Sequence, residues 1–305
     1  MKAAFIFSGQ GAQSVGMGKD LAENNTAAKR IFDAADAALD WKVSEVCFDG
    51  PEAKLTESKY CQPSIYTTSV ACLEAFRMKF PEVKPVAAAG LSLGEYAALF
   101  CAGYFSFEDG LKLLEKRAVF MAAACAETKG TMASVLGCDI ETIKAVCAEC
   151  DIDVANYNCP GQIVISGVFE RVEKAAVILK EKGAKRVIPL NVAGAFHSRL
   201  MASAGEKLAS VIGDVKVNAL TIPVAQNVIG GIVMNEADIK QNLVRQVAGS
   251  VRWENCIKDI VETTGADTFI EFGPGSVLTG LVRKINSELK LFNVSSLADL
   301  DKISF

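Results

Sequence analysis

Histidine is almost absent from this 305-residue sequence, which contains only His197. A catalytic mechanism that uses imidazole as its base therefore has a single candidate for that base. The scarcity also argues against a zinc site, which would need a second cysteine pair or more histidines beside the one C-x-x-C pair, Cys147-Ala-Glu-Cys150. This pair lies late in a predicted helix, Asp139–Cys150, and we interpret it as structural.

A strong charge of one sign and an unbroken hydrophobic run are also lacking. The 36 acidic and 32 basic residues give a net charge of −4, which argues against a nucleic-acid partner. The longest apolar region, Val86–Phe105, contains Glu95 and is interrupted by glycines, so it predicts a buried strand, a turn and a helix rather than a membrane span. The apolar N-terminal stretch is too short for a signal-peptide core, and the ten cysteines show no disulfide-scaffold spacing. We therefore expect a cytoplasmic protein with reduced thiols.

Strand-like and helix-like segments alternate along most of the chain, which is typical of an α/β fold with a mainly parallel sheet. Strands are predicted at Lys2–Ser8, Pro85–Gly90, Ile222–Asn227 and Thr268–Phe272. Helices are predicted at Thr26–Leu39, Pro63–Phe80, Glu95–Ala102, from a Ser106 cap to about Thr128, and at Arg199–Ile212, Ser250–Thr264 and Val277–Ser287.

The middle of the chain follows a different order, β-α-β-β-α-β, which is that of a ferredoxin-like unit. Its predicted elements are Gly130–Leu136, Ile140–Glu149, Asp153–Tyr157, Gln162–Ser166, Glu170–Lys182 and Lys185–Leu190. We therefore expect a small subdomain at residues 129–191, inserted between the two parts of a large subdomain, 1–128 and 192–305. The cleft between them is the expected location of the active site.

The run Gly90-Leu91-Ser92-Leu93-Gly94 has the G-x-S-x-G pattern of a nucleophile elbow. A serine hydroxyl becomes a good nucleophile when a neighbouring base takes its proton, and here that base has to be His197. A tight turn without chemistry and a merely packed histidine are the alternatives. The predicted strand before the run and the helix after it favour the catalytic interpretation.

A glycine-rich loop, Gly9-Gln10-Gly11-Ala12-Gln13, follows the first predicted strand. It does not match a dinucleotide-binding fingerprint, because Ser14 occupies the position of the last glycine, and the chain has no P-loop. The loop does offer backbone N–H groups near the elbow strand, and such donors can stabilise a tetrahedral oxyanion.

These motifs together resemble the malonyl-CoA:acyl carrier protein transacylases of type II fatty acid synthesis, over essentially the whole chain. The resemblance is carried, in family order, by Gly9–Gln13 with Val15-Gly16-Met17-Gly18, Gly90–Tyr96, Arg117, Asn158–Gln162, Gly194–Ser198 and Glu271–Gly275. Leu91 and Ser8 depart from it, since many members have His and Pro there. The resemblance implies an α/β-hydrolase-like core with an inserted ferredoxin-like subdomain.

The resemblance also implies roles for individual residues. Those roles are Ser92 as nucleophile, His197 as general base and acid, Arg117 as the group that holds the malonyl carboxylate, the backbone N–H groups of Gln10 and Leu93 as the oxyanion hole, the main-chain carbonyl of Gln246 as the acceptor that orients the histidine, and Phe196 as a barrier to α-methyl branches. A guanidinium suits the carboxylate, because it can donate two parallel hydrogen bonds. On sequence alone, an exposed helix arginine is the favoured interpretation of Arg117, and only the resemblance reverses this preference.

The implied activity is ping-pong transfer of malonyl from malonyl-CoA to the phosphopantetheine thiol of acyl carrier protein. A serine thioesterase or esterase of α/β-hydrolase type is the alternative, and a non-catalytic carrier-binding module is a third possibility. We expect no metal, no cofactor, no membrane partner and a monomer. An acidic carrier would need a local basic patch, for which the candidate is Lys180, Lys182, Lys185 and Arg186, although these could equally form an ordinary solvated helix end.

Overall fold

The computed structural model describes all 305 residues and contains two β-sheets. The strands are β1 (Ala3–Phe7), β2 (Pro85–Gly90), β3 (Gly130–Leu136), β4 (Asp153–Cys159), β5 (Gln162–Val168), β6 (Arg186–Pro189), β7 (Val224–Gln226), β8 (Gly231–Ile232), β9 (Thr268–Phe272) and β10 (Lys290–Val294).

Fourteen α-helices connect and cover these strands. They are α1 (Lys19–Asn24), α2 (Thr26–Ala38), α3 (Val43–Asp49), α4 (Glu52–Thr56), α5 (Ser58–Lys79), α6 (Gly94–Cys101), α7 (Phe107–Glu127), α8 (Ile140–Cys150), α9 (Phe169–Glu181), α10 (Ala202–Ile212), α11 (Ile239–Ala248), α12 (Trp253–Thr264), α13 (Val277–Ile285) and α14 (Leu297–Lys302). Each is too short or too polar to traverse a lipid bilayer.

The large sheet has the strand order β10-β9-β1-β2-β7-β8, and all its pairs are parallel except β7 with β8. The central strands β1 and β9 are buried along their whole length, as expected where helices cover both faces of a parallel sheet. Phe7 at the end of β1 pairs with Gly90 at the end of β2. The loops that follow these two strands therefore lie side by side at the carboxyl edge of the sheet, where α/β proteins commonly bind ligands.

The second sheet is antiparallel, with the strand order β4-β5-β3-β6, and α8 and α9 enclose a separate hydrophobic cluster against it. This is the βαββαβ arrangement expected from the sequence, and the mainly parallel first sheet confirms the predicted α/β class. All four strands lie between residues 130 and 189. The division of the chain at 128/129 and 191/192 stays a prediction.

Backbone hydrogen bonds join the small sheet to the large subdomain beside the expected site. Tyr157 N donates to the Val251 carbonyl, and Val251 N donates to the Ala155 carbonyl, both at 2.8 Å. Arg199 adds a polar contact, because its backbone N and its guanidinium donate to the Asp153 carboxylate. Val251 lies two residues after Gly249, whose carbonyl contacts His197, and Arg199 lies two residues after His197 itself. The small sheet is therefore bonded to the segments that hold the histidine.

Most predicted elements are present with shifted ends. The helix expected from Pro63 begins at Ser58, and the helix expected from Ser250 begins at Trp253. Residues 199–201 form a 3₁₀ turn before α10. The elements that were not predicted are α1, α3, α4, β8, α11, β10 and α14. Of these, α11 carries one of the site residues described below.

Candidate active site

The G-x-S-x-G run forms the tight strand-to-helix turn expected of a nucleophile elbow. Ser92 has a φ of 55°, in the left-handed region that non-glycine residues rarely adopt. A Cβ on Gly90 would lie 1.9 Å from the carbonyl carbon of Gly94, and one on Gly94 would lie 2.3 Å from the carbonyl oxygen of Phe7. Both glycines are therefore required by the close approach of the turn to itself and to β1.

The elbow places Ser92 against the only histidine of the chain. Ser92 Oγ lies 2.8 Å from His197 Nε2, a hydrogen-bonding distance, and both side chains are more than nine-tenths buried. His197 also has a φ of 55°, so both members of the pair occupy strained backbone positions. Such strain is typical of residues whose orientation matters for function.

Two main-chain carbonyls fix the tautomer of the histidine. His197 Nδ1 lies 2.9 Å from the carbonyl oxygen of Gln246 and 3.2 Å from that of Gly249. Carbonyl oxygens only accept hydrogen bonds, so Nδ1 carries the proton and Nε2 presents its lone pair to the serine hydroxyl. No carboxylate contacts the ring, and the two carbonyls lie at the nitrogen that the acid of a triad would contact.

The buried environment keeps the imidazole neutral. Burial, and secondarily the positive charge of Arg117, lower the pKa of His197 to about 4. The hydrogen bonds to the Gln246 and Gly249 carbonyls act in the opposite direction but do not outweigh burial. At neutral pH the ring is therefore in the form that can accept the serine proton.

Arg117, on α7, reaches the same serine. Its Nη2 donates to Ser92 Oγ at 3.1 Å and to Gln246 Oε1 at 2.9 Å, and its Nη1 donates to Gln62 Oε1 at 2.6 Å. The side chain is only 1% exposed, so the sequence-based alternative of an exposed helix arginine is wrong.

The Arg117 guanidinium has no anionic partner in contact. Its acceptors are two neutral amides and a hydroxyl, and its Nε has no hydrogen-bond partner at all. Burial lowers the pKa of the guanidinium, and the nearby Tyr96 and Glu95 side chains act in the opposite direction without a hydrogen bond to Arg117. A buried cation with no anion in direct contact is costly, so a carboxylate that entered the site and contacted Arg117 would be stabilised.

The two backbone groups expected to form the oxyanion hole are free to donate. Neither the Gln10 N–H nor the Leu93 N–H has a hydrogen-bond partner within the chain. The Gly9 backbone packs closely against the elbow, since a Cβ on Gly9 would lie 2.7 Å from the Leu91 carbonyl oxygen. A tetrahedral intermediate requires such donors, so these two unpaired amides are available for the predicted role, which stays a prediction.

Three buried polar residues in contact with these groups were not anticipated. Gln62 holds Arg117 Nη1, as described above. Asn227 accepts from Ser92 N at 2.6 Å through Oδ1 and donates to the Gly90 carbonyl through Nδ2. Glu95 accepts from Asn227 N at 2.7 Å and from Gln246 Nε2 at 3.1 Å. The sequence signal for Glu95 was its position as the lone charge in the apolar stretch 86–105.

The other residues singled out from the sequence lie away from these polar contacts. Phe196 is buried in the main hydrophobic cluster next to His197 in the chain. The four residues of the candidate basic patch, all exposed, lie at the end of α9 and the start of β6: Lys180, Lys182, Lys185 and Arg186. Cys147 and Cys150 are free thiols in the core of the small subdomain, as expected of structural cysteines. No group of three or more acidic, cysteine or histidine side chains is arranged to hold a metal ion.

Comparison with known proteins identifies the family. Residues 4–298 match the acyl transferase domain model. The chain is 46% identical to a malonyl CoA-acyl carrier protein transacylase of Bacillus subtilis, over 96% of this chain and 93% of the relative. It is 41% identical to one of Staphylococcus aureus, over 98% and 97% of the two chains.

Solved structures agree with these relatives. The malonyl CoA-acyl carrier protein transacylase of Clostridium perfringens superposes with a TM-score of 0.94 at 40% identity, covering 99% of this chain and 96% of the other. A malonyl-transacylase solved in complex with its type II PKS acyl-carrier protein superposes with a TM-score of 0.93 at 36% identity, covering 99% and 98%. The chain therefore belongs to the acyl transferase family, among the malonyl CoA-acyl carrier protein transacylases.

Proposed function

We propose that this acyltransferase moves a malonyl group from malonyl-CoA to the phosphopantetheine thiol of an acyl carrier protein through a malonyl ester on Ser92. One observation carries the proposal: Ser92 Oγ lies within hydrogen-bonding distance of both His197 Nε2 and Arg117 Nη2. The first contact activates a nucleophile. The second contact places a buried cation, which has no anion in direct contact, beside the serine oxygen that would carry an acyl group with a free carboxylate.

The first half-reaction forms the acyl-enzyme. His197 Nε2 takes the Ser92 hydroxyl proton as Oγ attacks the thioester carbon, and the oxyanion accepts hydrogen bonds from the Gln10 and Leu93 N–H groups. The C–S bond then breaks, and the imidazolium returns its proton to the CoA thiolate. Malonyl-CoA also prepares the base, because its carboxylate would neutralise the Arg117 charge that lowers the pKa of His197.

The second half-reaction reverses these steps with a different thiol. The phosphopantetheine thiol gives its proton to His197 Nε2, and its sulfur attacks the ester carbon. The Ser92–acyl bond breaks, and Oγ recovers the proton from the imidazolium. The chemistry is complete with the serine, the histidine and the thioester, so we propose that no cofactor takes part.

The partner and setting follow the same reasoning. The relative solved with its acyl-carrier protein supports a carrier protein as the acceptor of the acyl group. The ten cysteines are all unpaired, which supports a reducing compartment, and we propose the cytoplasm. We propose a monomer as the active form, because the site described above is assembled from one chain.

Acyl transfer and hydrolysis are distinguished by the fate of the acyl-enzyme. Mixing the protein with malonyl-CoA should give one malonyl adduct by intact mass, stable in buffer and discharged within seconds by holo-acyl carrier protein. An adduct that water discharges as fast as the carrier protein would instead indicate the serine thioesterase. That alternative is the less well supported, because the relatives at 41–46% identity are transacylases.

A further inference from the structure

Glu95 is a buried carboxylate that does not touch the catalytic serine or histidine side chains. It is the second residue of α6 and is fully buried, and no cation is in contact with it. Instead it accepts three hydrogen bonds, from Gln226 Nε2 at 2.8 Å, Asn227 N at 2.7 Å and Gln246 Nε2 at 3.1 Å. Burying an ionisable group is costly even when it is hydrogen-bonded, so its use at this position requires an explanation.

One of these contacts leads to the nucleophile elbow. Glu95 Oε2 accepts from the backbone N of Asn227, and the Asn227 side chain then bonds two backbone groups of the elbow, one on each side of Leu91. Its Oδ1 accepts from Ser92 N, and its Nδ2 donates to the Gly90 carbonyl at 2.8 Å. The strained turn that presents Ser92 to His197 is thus held in place by the side chain of Asn227, whose backbone Glu95 contacts.

A second contact leads to Arg117. Gln246 Nε2 donates to Glu95 Oε2 and to the Ser92 carbonyl at 3.0 Å, and a carbonyl and an ionised carboxylate only accept hydrogen bonds. The amide of Gln246 is therefore oriented with its oxygen away from them, and that oxygen accepts from Arg117 Nη2 at 2.9 Å. The Glu95 carboxylate therefore helps to orient the Gln246 amide so that its oxygen, and not its nitrogen, faces the Arg117 guanidinium.

We propose that Glu95 is a positioning residue for malonyl transfer, which acts through Gln246 on Arg117 and through Asn227 on the elbow. This inference rests on the proposed function, since it concerns how the carboxylate-binding arginine is aimed. It also gives the side chain of Gln246 a role beyond its main-chain carbonyl, which any residue could supply.

A purely electrostatic role for Glu95 would have the opposite consequence. Its charge and that of a malonyl carboxylate have the same sign, so removing the charge alone should favour malonyl binding. If Glu95 acts by position, removing its oxygens should disfavour malonyl relative to acetyl, because acetyl has no carboxylate for Arg117 to hold. Burial raises the pKa of Glu95 to about 7, so the comparison is made at pH 8, where the carboxylate is ionised.

The test is the ratio of kcat/KM for malonyl-CoA to that for acetyl-CoA in Ser92 acylation. Glu95→Ala should lower this ratio about tenfold, since one hydrogen bond to a charged group is misaligned. Glu95→Gln lacks the charge but keeps an oxygen that can accept at the position of Oε2. Its ratio should therefore be close to that of the wild type and well above that of Glu95→Ala. Glu271→Ala is the matched control, because Glu271 is equally buried and accepts from Thr279 N and Leu278 N. Its loss should lower kcat/KM for malonyl-CoA and for acetyl-CoA by similar factors and leave their ratio unchanged.

Two further variants separate the two contacts and keep the test decisive if Glu95→Ala does not fold. Gln246→Ala retains the carbonyl that bonds His197 and should lower the ratio as Glu95→Ala does. Asn227→Ala should reduce the rate with both donors by similar factors. An unchanged ratio in Gln246→Ala, or a ratio that rises in Glu95→Gln, would overturn the inference. If wild-type protein formed no malonyl ester at Ser92, the proposed function would fail first, and the inference with it.

Discussion

Replacing Arg117 by alanine separates the recognition of the malonyl carboxylate from the chemistry of the serine. The substitution removes three hydrogen bonds, to Gln62, Gln246 and Ser92 Oγ, and leaves the Ser92–His197 contact in place. It also removes the charge that contributes to the low pKa of His197. The rate of malonyl transfer should therefore fall, while His197 becomes a stronger base.

The size of the effect follows from the burial of the arginine. Arg117 is 1% exposed and has no anionic partner, so a bound carboxylate would form a desolvated charge pair with it. Truncating one member of such a pair costs about 2–5 kcal/mol, which is roughly 30-fold to several thousand-fold in kcat/KM. Acetyl transfer has no such pair to lose and should be unchanged or faster.

The assay is the rate of acyl-enzyme formation with malonyl-CoA and acetyl-CoA, measured on wild type, Arg117→Ala and Arg117→Lys. The lysine variant keeps the charge but lacks the planar fork, so its malonyl rate should lie between the other two. Circular dichroism and thermal unfolding check that each variant is folded. Equal losses with the two donors would show that Arg117 serves the structure of the site, and the assignment of the carboxylate pocket would be refuted.

Four further outcomes are expected. His197→Ala should reduce turnover by roughly 10⁴-fold, and a variant that retained a tenth of wild-type activity would exclude the proposed base. Because His197 accepts a proton only when neutral, the rate of acetyl loading should fall as the pH drops through about 4. In Arg117→Ala this fall should occur at a higher pH, and an unchanged pH dependence would contradict the effect of the Arg117 charge on His197. Phe196→Ser should shift the kcat/KM ratio toward methylmalonyl-CoA, whereas a folding defect would lower both values equally. Charge reversal at Lys182 and Arg186 should raise the KM for carrier protein, less so at high salt, without slowing self-malonylation, and an unchanged KM would place docking elsewhere.

The sequence predicted the two-sheet architecture because its signals are local. The buried strands at Pro85–Gly90 and Thr268–Phe272 and the Ser106 cap are encoded within a few residues, and the structure confirms them. The start of α5 was misplaced because proline favours the first turn of a helix, whereas Pro63 lies inside this one. The first turn of α5, which begins at Ser58, was therefore missed, and this part of the helix contains Gln62, which bonds Arg117.

The polar contacts around the serine could not be predicted in the same way. Glu95 is held by residues 131 to 151 positions further along the chain, and α11, which carries Gln246, was not recognised as a helix. Whether a charge in an apolar segment is satisfied depends on such distant partners. Likewise, the left-handed backbone of His197 follows from its surroundings rather than from its own residue type.

The central claim is that the acyl group is carried on Ser92. Rapid quenching after mixing with malonyl-CoA, followed by peptide mapping, tests it most directly, with Ser92→Ala as the matched control. We expect one malonyl group per wild-type chain, located on the peptide that contains Ser92, and no adduct in the variant. Turnover without a covalent adduct, or an adduct on another residue that persists in Ser92→Ala, would contradict the account.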